Sequence, residues 1–315
     1  MGDRKQPVKH SLNPVFRKGI LVAATNPLVE GAVMRYGDKL GARRYAAGAD
    51  FDECIESLEQ LTARGFLTYD SPLGEALDDE AEIAKVVEEY RLILTRLKTA
   101  YLDTTVSVKL TQFGLGISED YSFQNILRVV DRAAQDNRFV RLSMEESPTV
   151  DATLRTYRRL RESGYENVGV VLQSYLYRSE KDLQDLLDYR PNIRIVKGAY
   201  LEPEGAAYPD KSDVDVAYLK MLKRSLSYGE FTAIATHDER IIDYTLEYVR
   251  RNDIDPDRYE FQMLLGVRRQ LQEQLIDGGH QVRLAVPYGP DWYPYFMRRL
   301  AERPANVIFM LKNLR

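Results

Sequence analysis

The chain alternates short apolar runs with longer segments of helical periodicity. Eight runs are rich in β-branched and aromatic residues, and their starts recur every few tens of residues. The segments between them, such as "DDEAEIAKVVEEYRLILTRL" and "ERIIDYTLEYVRR", repeat apolar residues with the spacing of one helix face. The runs are "FLTYD" (66–70), "TVSVKLT" (105–111), "VRLSME" (140–145), "VGVVLQSY" (168–175), "IRIVKGAY" (193–200), "TAIATH" (232–237), "YEFQML" (259–264) and "QVRLAVPYG" (281–289).

This alternation predicts a parallel sheet that closes into a barrel. Apolar strands that alternate with helices are typical of a parallel sheet covered on its outer face. Eight such units favour a (βα)8 barrel in residues 61–315, preceded by an N-terminal helical segment in residues 1–60. An open doubly wound sheet is the alternative, but "YDSPLGEAL" after the first run lacks the G-x-G-x-x-G pattern that such sheets use to bind dinucleotides.

Composition narrows the classes of function. The 315 residues carry 44 basic and 48 acidic side chains, and the net charge of −4 argues against a nucleic-acid binder. No signal peptide is visible and no apolar run approaches the ~20 residues that span a bilayer, so we expect a cytoplasmic protein without a membrane anchor. Cys54 has no cysteine partner, and we expect it to be a buried thiol. The three histidines show no H-E-x-x-H spacing, so a catalytic metal is not expected.

Polar side chains lie at the ends of the predicted strands, where the loops of a barrel build its active site. Lys109 and Arg194 stand out, because each lies inside an apolar run, where a charge is costly unless it is paired. Each of the others, taken alone, is better explained as an ordinary polar residue at a strand end. The full set is Glu75, Lys109, Thr111, Ser143, Glu145, Gln173, Tyr175, Arg194, Lys197, Tyr200, Thr236, His237 and Gln262.

The segment "DWYPYFMRRLAE" (291–302) places two adjacent arginines among aromatic residues. On a helix, Tyr295, Arg298, Arg299 and Glu302 fall within about 100° of arc. Guanidinium groups bind carboxylates in a bidentate manner, so this face indicates a small carboxylate substrate. A solvated charged face is the alternative, and the aromatic start of the segment argues against it.

Seven short motifs follow one another from about residue 60 to the carboxyl terminus. They are "LGE", "SVKLT", "VLQSY", "RIVKGAY", "ATHD", "EFQ" and the terminal "YxxRRxxE". In this order they resemble the flavin-dependent proline dehydrogenases, which occur alone in bacteria or as the first catalytic part of bifunctional proline-catabolic flavoenzymes. The resemblance implies a distorted (βα)8 barrel with noncovalent FAD at the carboxyl ends of the strands. It also implies oxidation of L-proline to Δ1-pyrroline-5-carboxylate, with electrons passed to a membrane quinone through peripheral contact.

The resemblance also implies which residues bind the substrate. Arg298 and Arg299 would hold the proline carboxylate, with Lys109 at its border. Tyr295 would pack on the proline ring. Glu75 would pair with Arg298 as a gate over the substrate.

The cofactor residues are likewise implied by the resemblance. Arg194 would lie beside the flavin N5 and stabilise charge there, and the other residues would line the FAD. These are Met144, Gln173, Lys197, Gly198, Ala199, Tyr200, Thr236, His237, Gln262 and Glu302.

Three positions depart from the family pattern. Ser143 stands where many relatives carry Asp, and with Arg194 and Lys109 it completes the expected catalytic set. Ser71 stands where some relatives have Asp. Ala285 stands where many have a Tyr that packs on the substrate ring, so we expect it to contact the substrate and to loosen the selectivity for proline.

Two other functions remain open on the residues alone. A barrel lyase could use Lys109 or Lys197 as a Schiff-base nucleophile, which would explain a buried lysine beside a carboxylate site. A barrel could also bind a carboxylate ligand without any chemistry. Neither alternative explains Arg194, Gln173 and the aromatic arginine helix together.

Overall fold

Eight parallel strands close into a barrel, in which each strand pairs with its neighbours in sequence and the last pairs with the first. The structure, a computed structural model, describes residues 26–36, 45–74, 76–203, 205–290, 292–293 and 295–297. The strands are β1 (Leu67–Pro72), β2 (Thr104–Val108), β3 (Val140–Leu142), β4 (Val168–Gln173), β5 (Asn192–Val196), β6 (Phe231–Ala235), β7 (Tyr259–Leu264) and β8 (Val282–Tyr288).

Helices connect consecutive strands on the outside of the barrel, and two further helices precede β1 within the described residues. Side-chain caps define several helix starts, since Asp50 and Asp79 each accept a backbone hydrogen bond from the residue three positions on. Residues 292–293 and 295–297, which follow β8, are also helical. The helices are α1 (Pro27–Tyr36), α2 (Phe51–Ala63), α3 (Glu80–Thr99), α4 (Glu119–Ala134), α5 (Val150–Glu162), α6 (Ser179–Leu186), α7 (Lys211–Tyr228), α8 (Glu239–Arg251) and α9 (Arg269–Asp277).

The predicted (βα)8 barrel is confirmed, and each of the eight apolar runs overlaps one strand. The pairing of β8 with β1 excludes the open sheet. The predicted strands β2 to β6 extended too far at their carboxyl ends, because the chain leaves the sheet there. After β2, for example, Leu110–Phe113 forms a short 3-10 turn that ends at Gly114, whose φ of 91° suits a residue without a Cβ. The residues that were predicted as strand but lie beyond the strand ends surround the mouth of the barrel.

The segment before β1 packs closely on β8. The backbone N–H of Ala47 donates to the carbonyl of Pro287 at 2.7 Å, and the rings of Phe51 and Tyr288 lie 5.5 Å apart. Cys54 is fully buried in the same layer, as expected, and burial raises the pKa of its thiol. Helix α2 runs across residue 60, where the sequence places the end of the N-terminal segment.

The inside of the barrel is more polar than the branched apolar filling that is usual for this fold. Arg194 on β5 and Tyr69 on β1 come from opposite sides of the barrel, yet the guanidinium carbon lies 4.8 Å from the centre of the phenol ring. Both side chains therefore point inward. Ala285 pairs with Tyr69 in the register of β8 and β1, so it belongs to the same inner face. The register thus selects which polar residues reach the mouth of the barrel.

Candidate active site

Arg194 is the central cation of the barrel mouth. It is buried, and its Nη2 lies 3.4 Å from the Oγ of Ser143 at the end of β3. Its Nε has no hydrogen-bond partner within the part of the chain that the structure describes. The guanidinium is thus fixed by the Tyr69 ring and the Ser143 hydroxyl, and it retains donor capacity for a ligand.

Two buried glutamines present carbonyl oxygens near the same mouth. The amide Nε2 of Gln173 donates to the carbonyl of Glu145 at 3.2 Å, and that of Gln262 donates to the Glu260 carboxylate at 2.5 Å. Both partners can only accept hydrogen bonds. Each glutamine must therefore point its NH2 group toward its partner and its carbonyl oxygen away from it. Neither Oε1 atom has a hydrogen-bond partner among the described residues. Buried acceptors of this kind are expected to meet a ligand.

Lys109 follows β2 and turns toward the loop after β1. Its Nζ lies 3.4 Å from the carbonyl oxygen of Gly74, the residue before Glu75. The loop that carries it is held by Glu145, whose Oε1 accepts a hydrogen bond from the Thr111 hydroxyl at 2.7 Å. The structure therefore brings the Lys109 side chain to the loop after β1.

Lys197 lies in a network of ion pairs at the end of β5. Its Nζ contacts Asp215 on α7 and lies 2.9 Å from Asp238, the residue that caps α8. Arg240 contacts both carboxylates as well. Burial raises the pKa of Asp238, but hydrogen bonds from Arg240 and Lys197 outweigh it and hold this pKa well below its usual range. Lys197 thus links the end of β5 to helix α7 and to the start of helix α8.

Gly198, the next residue, is required by a close packing contact. Its φ is 108°, and a Cβ atom there would lie 2.1 Å from the ring of Tyr175. The Tyr175 hydroxyl in turn donates to Glu202 at 2.6 Å. The "VKGA" turn is therefore pinned against the loop that follows β4.

His237 and Thr236 shape the loop after β6. The Nε2 of His237 accepts a hydrogen bond from the backbone N–H of Leu264 at 2.9 Å, which assigns the ring proton to Nδ1. The hydroxyl of Thr236 accepts from the backbone N–H of Asp238 at 3.2 Å. Both side chains therefore have fixed orientations at the mouth.

The remaining predicted residues fall into four groups. Met144 and Ala285 are buried, whereas Ala199 and Tyr200 are exposed on the loop after β5. Tyr295 is half-buried on the last helical residues. Four predicted residues lie outside the described residues: Glu75, Arg298, Arg299 and Glu302.

Three charged residues of the barrel interior were not among the residues predicted from the sequence. Arg141 on β3 donates to the Asn192 side chain at 2.7 Å, and Arg283 on β8 pairs with Glu260 on β7 at 2.9 Å. Burial and the nearby Arg194 lower the pKa of Arg141 to about 9. The signal was present in the sequence, since all three charges lie inside apolar strands, as Lys109 and Arg194 do.

Comparison with known proteins identifies the family. Residues 54–312 match the sequence model of the proline dehydrogenase family, so the match covers the whole barrel. The chain belongs to this family. It is 41% identical to the proline dehydrogenase of Deinococcus radiodurans over 307 residues, which cover 96% of this chain and 99% of that protein. It is 40% identical to proline dehydrogenase 2 of Bacillus subtilis (strain 168) over 301 residues, which cover 95% and 99%.

Solved structures show the same fold at lower identity. The barrel resembles proline utilization A (PutA) from Bdellovibrio bacteriovorus, whose crystal structure was determined after inactivation by N-propargylglycine, with a TM-score of 0.81 and 22% identity. The likeness covers 91% of this proline dehydrogenase family member and 36% of the PutA chain. Among the residues that the structure describes, no helix is both long and apolar enough to cross a membrane.

Proposed function

We propose that the protein is an FAD-dependent proline dehydrogenase that oxidises L-proline to Δ1-pyrroline-5-carboxylate and passes the electrons to a quinone. The observation that carries the proposal is the family match over residues 54–312, together with full-length relatives named proline dehydrogenase. We place the protein in the cytoplasm, with peripheral contact at the inner membrane face for access to a membrane quinone.

The polar atoms at the barrel mouth fit a flavin. Two acceptors, Oε1 of Gln173 and Oε1 of Gln262, and one donor, Nε of Arg194, are buried there without partners in the described part of the chain. The chemistry that bound FAD supplies is acceptance of a hydride from the proline ring. In this proposal Arg194 stabilises charge beside the flavin N5. The residues that would hold FAD are Met144, Gln173, Arg194, Lys197, Gly198, Ala199, Tyr200, Thr236, His237, Gln262 and Glu302.

The substrate would lie between the flavin and the last helix. Arg298 and Arg299 bind its carboxylate, and Lys109, which points toward the loop after β1, borders the same group. Tyr295 packs on the proline ring, and Glu75 closes over it by pairing with Arg298. Binding both the carboxylate and the ring orients the reacting C–H bond, which is the main contribution that such a site can make.

In the catalytic set, Ser143 acts through Arg194. Its hydroxyl lies 3.4 Å from the guanidinium, so it restrains the cation together with the ring of Tyr69. Lys109 supplies a second cation near the substrate. We propose that Arg194, Lys109 and Ser143 together hold charge and orientation at the reacting centre.

An absorption spectrum tests the proposal directly. Purified protein is expected to be yellow, to release FAD on denaturation, and to lose its flavin absorbance when proline is added without oxygen. A soluble quinone should then restore the absorbance. A colourless protein, or a flavin that proline does not bleach, would contradict the proposal.

The Schiff-base lyase is less consistent with the site. Such a lysine reacts as a free amine and is usually desolvated in an apolar pocket or placed next to another cation. Lys197 instead lies between the carboxylates of Asp215 and Asp238. Trapping with borohydride and a keto acid separates the two functions, since only a lyase would form a covalent adduct.

The N-terminal segment supports the last helix. Tyr45 lies 6.1 Å from Phe296, ring centre to ring centre, and Val33 on α1 packs in the same buried cluster with Tyr293 and Met297. We propose that residues 1–60 form a helical segment that holds this helix against the barrel domain, residues 61–315. Arg298 follows Met297 directly in the sequence, and we propose that this cluster positions the arginine pair.

A charge inside this cluster is expected to disturb substrate binding. Val33→Asp buries an unpaired carboxylate, displaces the last helix, and should raise the KM for proline on the order of tenfold. The matched control is Met34→Asp, since Met34 is exposed on the same helix. Steady-state kinetics of both variants check the prediction, which fails if their KM values agree.

Ala285 should set the selectivity between proline and hydroxyproline. Its side chain is buried on the inner face beside Tyr69, where a methyl group leaves space against a substituted ring. We expect measurable, less efficient oxidation of 4-hydroxyproline by the parent protein. Ala285→Tyr should bind proline more tightly and reject hydroxyproline by a further ~1–3 kcal/mol. An unchanged ratio of kcat/KM values, at full flavin loading, would contradict this role.

A further inference from the structure

Glu260 forms a buried ion pair directly beneath Gln262 on β7. Only 2% of its surface is exposed, and it faces inward, because the register links it through Ala233 to Arg194. Both carboxylate oxygens lie 2.9 Å from the Nε of Arg283, and Oε1 also accepts the hydrogen bond from Gln262. The amide, the carboxylate and the guanidinium therefore form one connected unit.

The chemistry of this unit fixes the direction of the amide. A carboxylate paired with arginine only accepts hydrogen bonds, so Gln262 can approach Glu260 only with its NH2 group. The carbonyl oxygen must then point away from Glu260. Arg283 is itself anchored, since its Nη1 donates to the carbonyl of Thr68 at 2.8 Å. The backbone of Thr68 therefore anchors Arg283, Arg283 holds Glu260, and Glu260 sets the direction of the Gln262 amide.

We propose that Glu260 and Arg283 are positioning residues that turn the carbonyl oxygen of Gln262 toward the flavin as a hydrogen-bond acceptor. The inference rests on the proposed function, because the ligand is FAD. The oxidised isoalloxazine ring carries a single N–H group, at N3, and its other polar atoms are acceptors. A carbonyl oxygen can accept a hydrogen bond from N3–H, whereas a reversed amide would present an NH2 group that N3–H cannot accept.

The decisive variant removes both charges of the pair at once. Glu260→Gln combined with Arg283→Met deletes one negative and one positive charge, so the net charge of the barrel interior is unchanged. A glutamine at position 260 can donate as well as accept, so it no longer sets the direction of the Gln262 amide. We expect the FAD dissociation constant to rise about three- to tenfold, the usual effect of one hydrogen bond. The visible spectrum of the bound flavin should shift to match that of Gln262→Met.

A cycle with Gln262→Met separates positioning from general damage. If Glu260 and Arg283 act through Gln262, adding their double substitution to Gln262→Met should weaken FAD binding by less than about twofold further. Losses that multiply would overturn the inference. The matched control is Asn192→Ala, which removes an interior hydrogen bond to Arg141 near the amino-terminal ends of the strands and should keep the parent dissociation constant.

The remaining outcomes are also distinguishable. A yellow parent protein whose charge-pair variant binds FAD with parent affinity and spectrum would overturn the inference and leave the proposed function standing. A parent protein that binds no flavin would overturn both. If the double variant does not fold, Arg283→Lys replaces it, because a lysine keeps the charge but cannot contact Glu260 and Thr68 with one rigid fork. Its loss of FAD affinity should likewise disappear in the Gln262→Met background.

Discussion

Replacing Arg298 or Arg299 with lysine is expected to weaken proline binding about tenfold or more, while the FAD content stays at the parent level. Lysine keeps the positive charge but cannot make the two parallel hydrogen bonds that guanidinium makes to a carboxylate. A lost contact to a charged group is worth on the order of 1.5–3 kcal/mol. The measurements are the KM for proline and the dissociation constant of an unreactive carboxylate analogue.

Helix α8 provides the matched control for this pair. Arg250 and Arg251 are also adjacent arginines on a helix, and both are exposed at its carboxyl end. Lysine at either position should leave the KM unchanged. If Arg298→Lys or Arg299→Lys also leaves the KM unchanged, the carboxylate site lies elsewhere.

Arg194→Met is expected to slow reduction of the flavin by proline about a hundredfold and to lower the flavin reduction potential. Removal of a preorganised group that stabilises developing charge typically has an effect of this size. Arg194 is buried, restrained by Tyr69 and Ser143, and carries an Nε without a partner in the described structure. Equilibrium binding of a proline analogue should change little, because the carboxylate contacts remain.

Arg141→Met is the control for the loss of a buried arginine. Arg141 lies in the same barrel, but its guanidinium donates to Asn192 near the amino-terminal ends of the strands. The variant should lose thermal stability and keep a reduction rate much closer to that of the parent. Stopped-flow reduction and a potential titration compare the two variants. Equal effects of both substitutions on rate and potential would mean that Arg194 has no specific role beside the flavin.

The number and order of the elements could be predicted from the sequence, because their signals are local. A strand appears as a short apolar run rich in β-branched residues, and a helix appears as a segment with one apolar face. Each pattern can be recognised within a short stretch of sequence. The eight strands and the barrel followed from that alternation, and buried Cys54 followed from the amphipathic pattern of α2. Lys109 and Arg194 could be selected for the same reason, since a charge within an apolar run needs a partner.

Only the tertiary structure decided what those charges contact. The closing register places Arg194 over Tyr69 from the opposite side of the barrel and sets Ala285 beside that ring. It also directs Lys197 to two carboxylates on later helices. Partners this far apart in sequence are chosen by strand register and by the stagger of a closed barrel, which no local pattern encodes. For the same reason, the sequence shows Gln262 as a polar strand residue, and the fold determines which end of its amide faces the mouth.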